Sequence, residues 1–219
     1  MTERLYKCLR ADLTSGFGFL GPWVPGEWRR EAPPLVPCEH GLHVVPEAHL
    51  IEYLDAVICP AEVRGVAVYT RSFPPIIVDD PAEADKWTCE EVRIDTPLAA
   101  WNERTARLFA ADCAEHVLPL FERDYPHDGR AREAIRVARA YAEGHATVEE
   151  LAAAGAAAWA AARAAAGDAA RAAARAAAGA AAGAAAWDAA GDAAWEAAWA
   201  AERACQNARL LAYLRGEVA

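Results

Sequence analysis

Lysine is nearly missing from this 219-residue chain: of 22 basic residues, twenty are arginine, and Lys7 and Lys86 are the two lysines. Such a bias fits GC-rich coding. There is no basic stripe, and the formal net charge is −10, of which −7 falls in residues 1–97. That balance argues against nonspecific nucleic-acid binding and fits an ordinary soluble protein or an acidic partner-binder. The six cysteines (Cys8, Cys38, Cys59, Cys89, Cys113, Cys205) form no Cys-x-x-Cys pair. The first residues, MTERLYKCLRAD, have no apolar h-region, so we expect a cytoplasmic protein with reduced, mostly buried thiols. Uncharged stretches in the alanine-rich part reach twelve residues (Ala176–Trp187), too short to span a bilayer. A phosphate-cradling glycine loop, a nucleophile elbow and a dinucleotide fingerprint are all lacking. Composition and motifs therefore name no reaction and no cofactor.

What the chain has in abundance is alanine, with 35 in the 53 positions from 152 to 204. Every fourth residue breaks the run: Gly155, Trp159, Arg163, Gly167, Arg171, Arg175, Gly179, Gly183, Trp187, Gly191, Trp195, Trp199 and Arg203. Alanine is the best helix former and a poor source of buried area. A step of four overshoots a helical turn by about 40°, so these residues drift around the helix instead of forming one stripe. Mostly alanine faces let neighbouring helices approach closely. One unbroken helix would be about 80 Å long, so breaks are expected at Gly167-Asp168 and Gly191-Asp192. The regularity itself is equally compatible with coding drift.

The character of the chain changes near residue 97: eleven prolines lie at or before Pro97 and two after it. Strand-like runs occupy Leu5–Arg10, Leu42–Val45, Val63–Arg71, Ile76–Val78 and Trp87–Ile94, bounded by proline and glycine. A short helix is expected from Glu47 to Leu54. From Leu98 onward the pattern reads helical. Thr96-Pro97 opens a helix whose face is Trp101, Thr105, Leu108, Phe109, Cys113, Val117 and Leu120. A second helix runs from about Arg130 to Glu143, and Thr147 with Glu150 forms a capping box for a third. The last helix ends near Leu214. The predicted class is α+β: a small mixed β-sheet with one short helix over residues 1–97, then an all-α, alanine-rich helical bundle over 98–219.

Candidate chemistry is sparse. Asp112, Glu115 and His116 lie three and four apart on one side of the first long helix, a geometry suited to a divalent metal or to acid–base work. The alternative, which we favour, is a structural ion-pair network with Arg130, Arg132 or Arg136. Cys38, His40 and His43 cluster in Pro-Cys-Glu-His-Gly-Leu-His, a spacing that matches no common zinc pattern, so no metal is assigned. Trp23 and Trp28, in the segment Gly21–Trp28, offer rings for stacking on a flat ligand or cover for a small core. With His40 and His43 as donors and Lys7 and Arg64 as cations, they form the candidate ligand-binding set.

Two resemblances add to this. The run Arg-Leu-Phe-Ala-Ala-Asp-Cys-Ala-Glu-His-Val-Leu-Pro (107–119), then Asp128-Gly129-Arg130-Ala131-Arg132-Glu133-Ala134-Ile135 and the alanine helices, resembles the all-helical immunity proteins of bacterial polymorphic-toxin systems over residues 104–211. Those proteins usually show Arg-Pro-Arg where this chain has Arg130-Ala131-Arg132. The resemblance implies neutralisation of a toxin by binding. Residues 1–95 resemble a phage and bacterial domain of unknown function through Tyr6-Lys7-Cys8, Pro37–His43, a short helix ending near Tyr53, and Glu62–Gly65. A strand-then-helix pattern there is also similar to ADP-ribosyltransferase-like folds, but no residue matches that family's catalytic glutamate.

The leading expectation is a non-catalytic protein of bacterial or phage conflict that binds a protein toxin or immune effector. The alternatives are sequestration of a nucleotide-like signal, such as an ADP-ribose derivative or a cyclic nucleotide, and an enzyme acting on such a nucleotide. Neither nucleic acid nor membrane is an expected partner, and homo-oligomer formation is left open.

Overall fold

The structure, a computed structural model, describes residues 3–16, 21–72, 75–161 and 200–218. It divides into two units, one made of Met1–Asn102 with Gln206–Ala219 and one of Glu103–Cys205.

Among the described residues of the first unit, β-branched and aromatic runs form six strands: β1 (Leu5–Leu9), β2 (Trp28–Arg30), β3 (Leu42–Pro46), β4 (Val57–Ser72), β5 (Pro75–Val78) and β6 (Lys86–Ile94). Every pairing is antiparallel, so the mixed sheet expected from sequence is corrected to an antiparallel one. Parallel neighbours need a long, usually helical crossover. Between β1 and β6 the described helical turns are the 3-10 helices Glu47–Tyr53 and Pro81–Glu83.

The ladder closes on itself, because β1 pairs with β3, β3 with β6, β6 with β4, and β4 with β1. The long β4 makes this closure. Its start, Val57–Ala61, lies against β1, and its continuation from Ala61 to Thr70 lies against β6. The register shifts between Arg64 and Ala67. Gly65 sits in that irregularity at φ +73°, and a Cβ there would stand 2.5 Å from Glu90 Oε2. This is a position only glycine fills without strain. The β-strand expected from Val63 thus begins at Val57, and β2, which no strand-like run marks in the sequence, starts at Trp28.

Alternation places Leu5 and Leu9 of β1, with Leu42 and Val44 of β3, in a core shared with Trp23, Cys59, Cys89, Val92 and Ile94. Lys7 shares the β1 face of Leu5 and Leu9. The described part of the last helix covers residues 200–214. Leu210 and Tyr213 on it are buried, and Asn207 bonds to the 3-10 helix Glu47–Tyr53.

In the second unit, α1 is Glu103–Asp124 and α2 is Arg130–Ala142, followed by a helix over 148–161. α1 starts later than Pro97 suggests, because Leu98 N–H donates to Ile58 O and Trp101 Nε1 to Asp55 O, both within the first unit. Its buried face is Leu108, Phe109, Ala111, Asp112 and Leu118, while Val117 and Leu120 are exposed. An apolar criterion passes over the aspartate in that stripe. The capping box forms as read: Thr147 N–H donates to Glu150 Oε2 at 2.7 Å, and Glu150 N–H to Thr147 Oγ1 at 3.2 Å. The expected breaks at Gly167-Asp168 and Gly191-Asp192, and the close packing at Gly179 and Gly183, lie outside the described residues.

Candidate functional site

A pocket of about 560 Å³ opens in the sheet unit. Lys7 and Cys8 come from β1, His43 and Val45 from β3, and Lys86 from the first position of β6. Ser15, Gly16 and Cys38 come from loops, and Glu52, Tyr53, Leu54 and Asp55 from the end of the 3-10 helix and its exit. Cys8, His43 and Val45 alternate with core residues on their strands and so project away from the core, whereas Lys7 leaves the core face of β1 and its ammonium reaches the pocket at the His43 carbonyl.

Four of these residues form a connected chain. Lys7 Nζ donates to His43 O at 2.7 Å, Cys38 N–H to His43 Nε2 at 3.1 Å, and Lys86 Nζ to Cys38 Sγ at 2.9 Å. Cys38 adopts φ +67°, unusual for a residue with a side chain and a form of strain that collects at functional sites. Tyr53 is held by a second network: its hydroxyl lies 2.6 Å from Ser72 Oγ and donates to Asp85 Oδ1 at 3.0 Å. Ser72 N–H and Oγ–H both donate to the buried Asp85.

Burial sets the protonation states here. It lowers Lys7 to about 8, with Arg29 adding to the effect. It also pushes His43 down to about 4, helped by the charges of Lys7 and Lys86. His43 is therefore neutral at pH 7, consistent with its Nε2 accepting from the Cys38 amide. Burial drives the Cys8 thiol up to about 12 despite the nearby Lys7, so Cys8 stays protonated. The arrangement offers two ammonium groups, a neutral imidazole and carboxylates around an apolar floor, which suits binding of a small polar molecule.

Of the six ligand residues expected from sequence, Lys7 and His43 meet in this pocket. Trp23 is 2 % exposed and belongs to the core, where the Lys7 ammonium lies 5.1 Å from its ring. Trp28 is covered by the Arg64 guanidinium at 4.0 Å and by Arg93 at 5.5 Å. His40 Nε2 contacts Ala32 O at 2.7 Å on the surface. Lys86, Tyr53 and Asp55 escaped sequence reasoning. The rarity of lysine was the signal that would have found Lys86.

The acidic cluster of the helical unit is also paired, though not with the arginines expected. Arg139 bridges buried Asp112 and exposed Glu115, each at 2.5 Å. Arg132 instead pairs with Glu122 at 2.6 Å, and Arg130 with Asp128 at 2.6 Å. The cause is hairpin register. α1 and α2 run antiparallel from the turn at 125–129, so the start of α2 faces the end of α1, and Asp112 meets residues two turns further along α2. His116 Nε2 lies 3.3 Å from Glu202 Oε2. Among the described residues, no three His, Cys, Asp or Glu side chains form a metal-holding group, and no helix is long and apolar enough to cross a membrane.

No curated protein and no solved structure matches the chain. A family of known sequences does: the one described as "Imm-5 like putative immunity protein" matches residues 97–209, just over half of the chain. That span holds α1, α2 and the Asp112–Arg139 pair. The chain belongs to the Imm-5 like immunity protein family.

Proposed function

We propose that this protein neutralises a protein toxin in the cytoplasm by binding it, without catalysis. The observation that carries this reading is the immunity-family match over residues 97–209. The net charge of −10 supports a partner with a basic face, because complementary fields accelerate association and suppress wrong partners. The paired helices α1 and α2, fixed by the half-buried Arg139 bridge, supply a rigid scaffold for such a surface.

The test is co-expression of the full chain with the growth-inhibiting products of neighbouring genes in the source genome, followed by titration of the purified pair. One of them should lose toxicity and bind at nanomolar dissociation constant, with association slowing steeply as salt rises. Continued toxicity and no binding for all of them would overturn the reading. Sequestration of a nucleotide-like signal, or catalysis on it, has one supporting feature, the pocket of the sheet unit.

A further inference from the structure

Lys7 and Lys86, the two lysines of a chain with twenty arginines, line one pocket. They are tied to each other through the His43–Cys38 chain of hydrogen bonds. An ammonium is a compact point charge, whereas a guanidinium is a broad planar fork, and the two do not replace each other in a confined site. Both lysines of the chain thus fall where this pocket presents a cation.

Lys7 is an expensive residue. Its stem lies on the core face of β1 between Leu5 and Leu9, and the residue is 7 % exposed. Buried lysines are ordinarily paired with a carboxylate. Among the described residues no carboxylate pairs with Lys7, whose partners are the His43 carbonyl and the Trp23 ring. The missing counter-charge is what an anionic ligand would bring.

The rest of the lining narrows the class. Ser15 Oγ accepts from Trp23 Nε1 at 3.1 Å, so its own proton is left for an acceptor in the pocket. Glu52 and Asp55 line the same space and can accept from ligand hydroxyls, while Val45 and Leu54 give an apolar wall. Two ammonium groups balance a phosphate monoester, which carries about −1.5 to −2 at neutral pH, better than a single carboxylate. The volume of about 560 Å³ falls in the range of small-molecule sites. We propose that this pocket binds a small phosphate ester bearing hydroxyl groups, such as a sugar phosphate or a nucleoside monophosphate, with its phosphate held by Lys7 and Lys86.

The site lies wholly in the sheet unit and stands apart from the toxin reading, so failure of either leaves the other in place. The experiment uses the full chain, with thermal shift and calorimetry against ribose 5-phosphate, adenosine monophosphate and inorganic phosphate. Ribose and adenosine serve as phosphate-free controls. At least one ester should raise the melting temperature while its phosphate-free counterpart does not. Lys86→Gln, at a half-buried position, should fold as the parent does and weaken ester binding by about tenfold to a hundredfold. Lys7→Met should weaken ester binding to the same extent. No shift with either ester, equal shifts with the phosphate-free controls, a shift with inorganic phosphate alone, or full affinity in either variant would each overturn the proposal.

Discussion

Asn207 satisfies two backbone groups of a segment more than 150 residues earlier in the chain. Its Oδ1 accepts from Ile51 N–H at 3.1 Å and its Nδ2 donates to Glu47 O at 2.9 Å. The 3-10 helix Glu47–Tyr53 has no side-chain cap of its own, and it carries Tyr53 into the pocket. Asn207 is 6 % exposed, and removing its amide takes away the partners of two part-buried backbone groups. Asn207→Ala should therefore destabilise the protein by about 1–3 kcal/mol in denaturant unfolding. An unchanged midpoint would show that solvent reaches the 3-10 helix and that Asn207 is dispensable.

The Asp112–Arg139 pair makes a contrast with the pairs at the start of α2. The Asp112 side chain is 3 % exposed, whereas Arg132 and its partner Glu122 are 65 % and 28 % exposed. Breaking a buried pair by removing one partner costs about 3–5 kcal/mol, and breaking an exposed one under about 1 kcal/mol. Arg139→Ala should consequently lower stability far more than Arg132→Ala. Equal effects of the two variants in urea unfolding would contradict a buried network.

Local signals predicted the elements that depend on neighbours in sequence. The capping box at Thr147 and Glu150, the end of α2 before Gly144 and strands β1, β3 and β6 all carry their cause within a few residues. Relationships across the chain were not legible. Arg132 and Arg139 are the same residue type on one helix, and the antiparallel register with α1 decides which of them reaches Asp112. The first half of β4 contains Pro60 and Ala61, poor strand formers, and is held extended by its pairing with β1. The candidate pocket was half visible, since Lys7 and His43 belong to the ligand set the sequence suggests while Lys86 and Tyr53 join it only through tertiary folding.

His43 makes stability depend on acid. Its folded value of about 4 lies below the ordinary 6.5, so the unfolded chain binds the proton more readily between those values. Stability from this residue is complete above about pH 6.5 and is lost as pH falls toward 4. Between pH 7 and about pH 4.5 the parent should lose about 2 kcal/mol more than His43→Gln, measured by urea unfolding at both pH values. Parallel losses in the two proteins would mean that His43 is well solvated and charges freely.

Lys7 carries the opposite expectation for a mutant, because here the native residue is the costly one. Its folded value of about 8 lies below the ordinary 10.5, so the unfolded chain holds more protons between pH 8 and 10.5. Stability attributable to Lys7 therefore rises with pH across that window, and at pH 7 the buried charge costs up to about 3 kcal/mol. Lys7→Met keeps the stem's volume and removes the charge, while leaving His43 O without its donor at a cost of about 1 kcal/mol. The variant should be more stable than the parent at pH 7 by about 1–2 kcal/mol, with the gap closing as pH approaches 10.5. Cys8 and Cys89, both raised to about 12, titrate in the unfolded chain over the same range and pull the other way. The difference between variant and parent, measured at matched pH, isolates the lysine. A variant less stable than the parent at pH 7 would make Lys7 a structural residue and remove the energetic case for a ligand that neutralises it.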